Sequence, residues 1–341
     1  MNTDYILELL EKLCLADGTS GDEDAAAKIA ADELKKYMSV SRDKLGNVIG
    51  RQEGEGTHFL LDAHIDRIGL VVTAITDEGF VKVGSCGGID TRTLDAAEVV
   101  IYGSKAVFGV VAAVPPHLTK SGENKASDIS DVLIDIGMDK ETAEKYITPS
   151  DRVVAVSDFN KLLGSKVTCA ALDDRAGVVS LILACDMLKG KGIRPNMTVV
   201  FSVCEETTGS GAKTSSFAAN ADESIAVDVS FAKQPGVSEE ESGMLSKGPM
   251  IGFSSTLDFE MSKKLVSVAE SRNIPYQKEI MGGKTGTNAD SIAVSGFGTK
   301  MGLLSIPQRN MHTQAEIVDI NDVIDTARLI SEYISYRLEE C

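Results

Sequence analysis

From residue 166 onward the chain repeats one texture: a short apolar run rich in β-branched residues, a longer stretch with helical spacing, then another apolar run. KVTCAA leads into DDRAGVVSLILACDMLKG, which ends on a helix-stopping Gly190; NMTVVFSVC, a short helical stretch and SIAVDVSFA follow. The pattern continues through GPMIGFSS, a helix at about 257–272, IPYQKEIM, a short helix near 288–295, the strand TKMGLLSIP and the helix NDVIDTARLISEYISYRLEE. Strands that are apolar at nearly every position need cover on both faces. Alternation of this kind therefore predicts an α/β fold, a mostly parallel sheet covered by helices. Ligands of such sheets gather at the carboxyl ends of the strands, so the residues that follow each strand carry the most information.

The first half reads differently. Residues 4–14 and 22–38 have helical spacing, and Ser20 with Glu23 matches a capping box for the second helix. LGNVIGR (45–51) and THFLLDAHIDRIGL (57–70) read as strands. Between about 70 and 113 only short β-type runs occur, divided by Gly or Asp-Glu turns, the texture of a compact antiparallel module. PPH (115–117) closes it, a short helix is predicted within about 127–147, and VVAVSD leads back out. The simplest organisation is one catalytic α/β domain from 1–67 and 164–341, interrupted by a small β-rich insertion at 68–163.

Charge narrows the partners. A net charge of −17 without any basic block argues against nucleic acid and against anionic membrane surfaces. No apolar run approaches the ~18 residues that cross a bilayer. The N-terminal MNTDYILELLEKL is acidic and amphipathic, unlike a signal peptide. The six cysteines are scattered with no C-x-x-C pair, as reduced thiols of a cytoplasmic protein would be.

Five strand ends deliver chemistry. His64 closes FLLDAH, with Asp66 two residues on; Asp173 and Asp174 follow KVTCAAL; Glu205 and Glu206 follow VVFSVC; Asp228 follows SIAV; His312 follows LLSIPQRNM. Adjacent anions beside a buried strand are costly unless a cation neutralises them. Imidazole and carboxylate donors together suit Zn²⁺, Co²⁺ or Mn²⁺. Two histidines and three carboxylates exceed the needs of one tetrahedral ion. They suit two ions sharing a bridging carboxylate, and leave one glutamate of the pair as a base.

The set HIDRIGL, ALDDRAG, CEETTGSGA, AVDVSFA and IPQRNMHT, with LIDIGM, PPH and GKTGTNAD, resembles the dinuclear metallo-aminopeptidases of the glutamyl (deblocking) aminopeptidase family. Members of this family commonly assemble as hollow dodecamers, the TET peptidases. The resemblance spans nearly the whole chain. It implies that His64, Asp173 and Asp228 hold one ion and Asp173, Glu206 and His312 the other, with Asp173 bridging. It implies Glu205 as general base, Asp66 as the orienting partner of His64 and a cis peptide at Asp173–Asp174. It also implies two divalent ions (Zn²⁺ or Co²⁺), peptide substrates, the insertion as a dimerisation domain, and a homo-oligomer, dodecamer or dimer. Two departures lie near these residues: Asn310 where the family often has tyrosine, and Ser230 in D-V-S where D-V-T is usual. The competing readings are a metal-dependent deacylase of N-acyl amino acids, a glycoside hydrolase using Glu205 and Glu206, and a non-catalytic assembly protein. Lys284 and Arg309 are candidate partners for an acidic substrate residue, with a surface ion pair or a bound chain terminus as the other readings of either.

Overall fold

The computed structural model describes residues 3–115 and 128–340; Pro116 and His117 of the PPH motif lie outside them. Helices α1 (Thr3–Leu15) and α2 (Asp24–Leu34) open the chain. Strands β1 (Ser39–Arg42), β2 (Val48–Gln52) and β3 (Phe59–His64) follow. The second helix ends at Leu34, earlier than its spacing predicts, because residues 35–38 turn the chain into β1, which pairs antiparallel with β2. The predicted capping box does not form. Ser20 Oγ donates instead to buried Asp66 Oδ2, and Glu23 accepts from the backbone N–H groups of Gly21 and Cys204. The long run 57–70 breaks after His64; the chain then enters β4 (Gly69–Ile75).

Six strands form a closed antiparallel barrel in the order β4-β5-β8-β7-β6-β9, with β5 (Val81–Cys86), β6 (Glu98–Tyr102), β7 (Ala106–Val111), β8 (Leu133–Asp135) and β9 (Arg152–Ala155). Alternate side chains such as Val81, Val99, Ile101, Ile134 and Val153 fill it. The helix predicted within 127–147 shrinks to α3 (Lys140–Ala143). Leu133 and Ile134 pair with β5 and β7 and are needed to close the barrel.

The chain leaves the barrel through β10 (Asn160–Lys161) and β11 (Lys166–Cys169) into α4 (Leu172–Gly190) and β12 (Met197–Ser202). Helix α4 does end at Gly190, and the left-handed residue that reverses the chain is Gly192, at φ +71°. The rest alternates: α5 (Ser210–Ala219), β13 (Glu223–Phe231), β14 (Met250–Phe253), α6 (Phe259–Ser271), β15 (Gln277–Ile280), α7 (Asn288–Ala293), β16 (Lys300–Gln308), β17 (Glu316–Asp319) and α8 (Ile320–Glu339).

The main sheet has the order β1-β2-β12-β3-β13-β16-β14-β15. Its centre, β12-β3-β13-β16, is parallel; antiparallel pairings occur at β1-β2-β12 and at β16-β14. Period-two alternation assigns the two faces. Leu61, Val199, Ile225, Val227 and Leu304 pack into the core shared with α1, α2, α4, α6 and α8. Leu60, Val200, Ala226 and Leu303 pack with residues of α5 and α7. A small separate sheet, β10-β11-β17, sits beside the main one.

Candidate metal centre

The parallel strands converge on one cavity of about 460 Å³, lined by residues that include His64, Asp173, Glu205, Glu206, Asp228 and His312. Each reaches it by its own route. His64 is the last residue of β3, on the α5/α7 face, since its alternating neighbours Leu61 and Ala63 belong to the opposite core. Asp228, counted among the strand-end acids, lies inside the strand that SIAVDVSFA predicts: β13 runs on to Phe231. The register Ala226↔Asp62 puts Asp228 level with His64, where β3 no longer pairs with β13. Asp173 lies in the irregular first turn of α4, and its peptide bond to Asp174 is cis. The two aspartates separate their roles: Asp174 Oδ1 accepts from Gly177 N at 3.0 Å, as a helix-capping carboxylate does, and Asp173 faces the cavity.

Asp173 sits between the two imidazoles. His64 Nε2 is 3.0 Å from Asp173 Oδ1, and His312 Nε2 is 3.3 Å from Oδ2. His64 Nε2 also lies 3.7 Å from Asp228 Oδ1, and His312 Nε2 3.2 Å from Glu206 Oε2. The result is two adjoining donor groups, His64–Asp173–Asp228 and Asp173–Glu206–His312, with Asp173 common to both. Each histidine is tied back through Nδ1: His64 to the carbonyl oxygen of Asp66 at 3.1 Å and His312 to that of Gly88 at 3.0 Å. A carbonyl accepts only, so Nδ1 carries a proton and Nε2 is the nitrogen turned toward the carboxylates, donating to them while it is protonated. Loss of the Nε2 proton leaves the tautomer a metal-ligating histidine needs.

The electrostatics point the same way. Burial pushes Glu206 and Asp228 above the usual carboxylate range. Burial opposes the charge of Asp173 as well, but hydrogen bonds from His312 and His64 outweigh it and hold this carboxyl well below its usual value. Against the pull of burial, Asp173 and Glu206 raise His312 to about 11. Glu206 Oε1 is buried with no hydrogen-bond partner. A cluster of buried acids with an orphaned oxygen and two imidazoles turning Nε2 toward them fits a divalent cation, which would take the place of the imidazole protons.

Glu205 lines the same cavity, and burial is the chief reason its pKa rises to about 8. The turn that presents it is held from several sides. Asp66 Oδ1 accepts from Glu205 N at 3.0 Å and Oδ2 from Glu206 N at 3.2 Å, and Asn47 Oδ1 accepts from Val203 N at 2.9 Å. Asp66, expected to orient His64 through its side chain, has its carboxylate 3.5 Å from Nδ1; the carbonyl is closer. Its side chain chiefly fixes the Glu205–Glu206 backbone.

Sequence reasoning missed Glu316. Its Oε2 accepts from Asp173 N at 3.1 Å and its Oε1 from His312 N at 3.0 Å, so one buried carboxylate positions a residue of each donor group. Its only sequence signal was an acid in an apolar strand. Of the two departures from the family pattern, Asn310 does not line the cavity. It sits at φ +55°, a conformation asparagine tolerates, with its side chain donating to Ala315 O. Ser230 does line it. Neither Lys284, which is exposed, nor Arg309, whose Nε donates to Lys233 O, lines it.

Comparison with known proteins bears directly on this geometry. Residues 46–329 match the family described as M42 glutamyl aminopeptidase. Lysyl aminopeptidase of Pyrococcus furiosus is 32% identical over 332 residues, 94% of either chain. Among solved structures, aminopeptidase APDkam598 of the archaeon Desulfurococcus kamchatkensis superposes with a TM-score of 0.91 at 32% identity, covering 98% of this chain and 95% of that one. The TET1 peptidase of Pyrococcus horikoshii, described as assembling into a tetrahedron or a large octahedral shell, superposes with a TM-score of 0.86 at 30% identity, over 96% and 98% of the two chains.

Proposed function

The chain belongs to the M42 glutamyl aminopeptidase family, and we propose that its two adjoining donor groups hold the two divalent ions with which it removes N-terminal residues from peptides. It is a metallo-aminopeptidase. The observation that carries the assignment of ligands is Asp173, one oxygen toward each imidazole. His64 and Asp228 complete one set and Glu206 and His312 the other. The N and O donors favour Zn²⁺ or Co²⁺.

When bound, such ions lower the pKa of water from ~15.7 toward ~7 and polarise a peptide carbonyl. The chain supplies the rest. Glu205 takes a proton from the attacking water, whose oxygen bonds to the carbonyl carbon as the C=O π bond opens; the tetrahedral adduct then re-forms the carbonyl and its C–N bond breaks as Glu205 returns the proton to the leaving amine. Asp66 holds the Glu205 and Glu206 backbone so that this carboxylate stays over the donor groups.

The relatives include lysyl and glutamyl aminopeptidases, so relatedness alone leaves the preferred side chain open. By analogy with the TET1 peptidase the chain forms a closed homo-oligomer, with the barrel β4–β9 as its dimerising unit. A cytoplasmic setting suits its scattered free thiols. Exhaustive chelation tests the metal assignment: aminoacyl-p-nitroanilide hydrolysis should vanish, return with Zn²⁺ or Co²⁺, and saturate near two ions per chain. Full activity in the metal-free protein would refute it. Aminoacyl substrates cleaved in preference to N-acyl amino acids would exclude the deacylase reading.

A further inference from the structure

The cavity holds one carboxylate that the reaction does not use. Glu279 lines it from β15, the edge strand of the main sheet, where the paired residue on β14 is Gly252. Its side chain reaches two other strands. Ser230 Oγ of β13 donates to Oε1 at 2.5 Å, and Ser305 Oγ of β16 donates to Oε2 at 2.7 Å. Each oxygen thus accepts one hydroxyl and keeps a free lone-pair direction, for a carboxylate has about four acceptor sites. The group is fixed in place with acceptor capacity left over.

The rest of the wall suits one kind of partner. Among the described residues that line the cavity there is no lysine or arginine. The three acids assigned to metal and the proton-carrying Glu205 have work in the reaction; Glu279 lies outside both donor groups. Phe231, Leu303 and Met311 add apolar surface to the same wall. A long side chain with an apolar stem and a cationic tip satisfies both features, because such chains bury their methylenes while the charged end seeks an acceptor. Burial raises the pKa of Glu279, and an adjacent cation relieves that cost.

We propose that Glu279, held by Ser230 and Ser305, is the specificity-determining residue for a basic first side chain, lysine or arginine, on the peptide substrate. This rests on the aminopeptidase function stated above. Ser230, the departure from the family's usual threonine, then has a defined part: it aims the selecting carboxylate.

The test compares Lys-, Arg-, Leu- and Glu-p-nitroanilides on the metal-loaded enzyme and on Glu279→Gln, which keeps the shape and, with one serine hydroxyl turned to accept from the amide, both hydrogen bonds, but loses the charge. Wild type should favour Lys and Arg over Glu by ~100-fold or more in kcat/KM, as a desolvated charge contact allows. Glu279→Gln should lose ~10–100-fold on Lys and Arg, mainly through KM, and stay within ~3-fold on Leu. Equal losses on all four substrates would overturn the proposal and make Glu279 an anchor for the α-amino group or a structural residue. A wild type that cleaves Leu with no preference for Lys or Arg overturns the specificity alone. Failure on every aminoacyl substrate after metal loading would remove the aminopeptidase function as well.

Discussion

At Asp66 a single carboxylate serves three donors: Ser20 Oγ and the backbone N–H groups of Glu205 and Glu206. Its backbone carbonyl meanwhile fixes the His64 ring. A short stretch around one residue thus orients a histidine of one donor group, a glutamate of the other and Glu205, the proposed base. The adjacency of Glu205 and Glu206 follows from the same arrangement, since Asp66 grips both amides and leaves both side chains facing the cavity. Glu205→Gln is isosteric and leaves these backbone bonds alone. It should retain both metal ions and its thermal stability while kcat falls by ~10²-fold or more, the usual worth of a proton-transfer group. Metal content and turnover measured on the same preparation check this, and a near-normal rate would dismiss Glu205 as the base.

Among the elements, the small sheet β10-β11-β17 does what the large one cannot. Strand β11 feeds Asp173 and the loop before β17 carries His312; pairing of Cys169 with Glu316 brings these two chain segments together. Glu316, at the start of β17, then accepts from the backbone N–H groups of both Asp173 and His312. It acts through ligands and touches no reacting atom. Glu316→Ala should weaken metal retention ~10–100-fold, the range for groups that orient metal ligands. Competition against a graded chelator series reads this directly, with far-UV circular dichroism confirming that the barrel and main sheet persist. Unchanged retention would mean that β11–β17 pairing alone sets the ligands.

For the whole molecule, the candidate site draws on three bodies: the main sheet, the small sheet and the barrel, whose Gly88 carbonyl accepts from His312. A ligand that binds only this folded arrangement stabilises it, by ~4 kcal/mol at a thousand times its dissociation constant. The pH dependence has a definite sign. His312 is raised from 6.5 to about 11, by Asp173 and Glu206 against the effect of burial. Its proton-mediated pairing with those acids therefore contributes stability that is complete below the unfolded pKa and fades as pH climbs through about 11. On the proposed assignment a divalent ion would take that proton's place, so metal uptake would release protons and its affinity would grow with pH. The gap in melting temperature between metal-loaded and chelated protein should accordingly widen from pH 6 to pH 8, roughly the window where competing protons become scarce. A gap that narrows over that range would contradict histidine ligation.

Much of this was already legible in local pattern. Period-two and helical spacing identified the alternating elements and the β-only stretch, because burial periodicity is written residue by residue. The candidate ligands were readable for the same reason: charged residues at the ends of apolar strands are conspicuous against their neighbours. Where a local rule competed with a distant partner it failed. Ser20 and Glu23 spell a capping box, yet Asp66 and Cys204 claim them. Asp228 reads as a strand-end acid although it falls within the run SIAVDVSFA, and β13 does continue past it because β16 pairs with it as far as Gln308. Glu279 and Glu316 were invisible, since nothing near them in the chain marks them as facing Ser230 and Ser305, or Asp173 and His312. The sequence by itself determined which segments become strands and helices and which chemical groups stand at their ends. Only the tertiary structure decided which acid meets which imidazole and which carboxylate is left facing the cavity, because those pairings depend on the register between strands far apart in the chain.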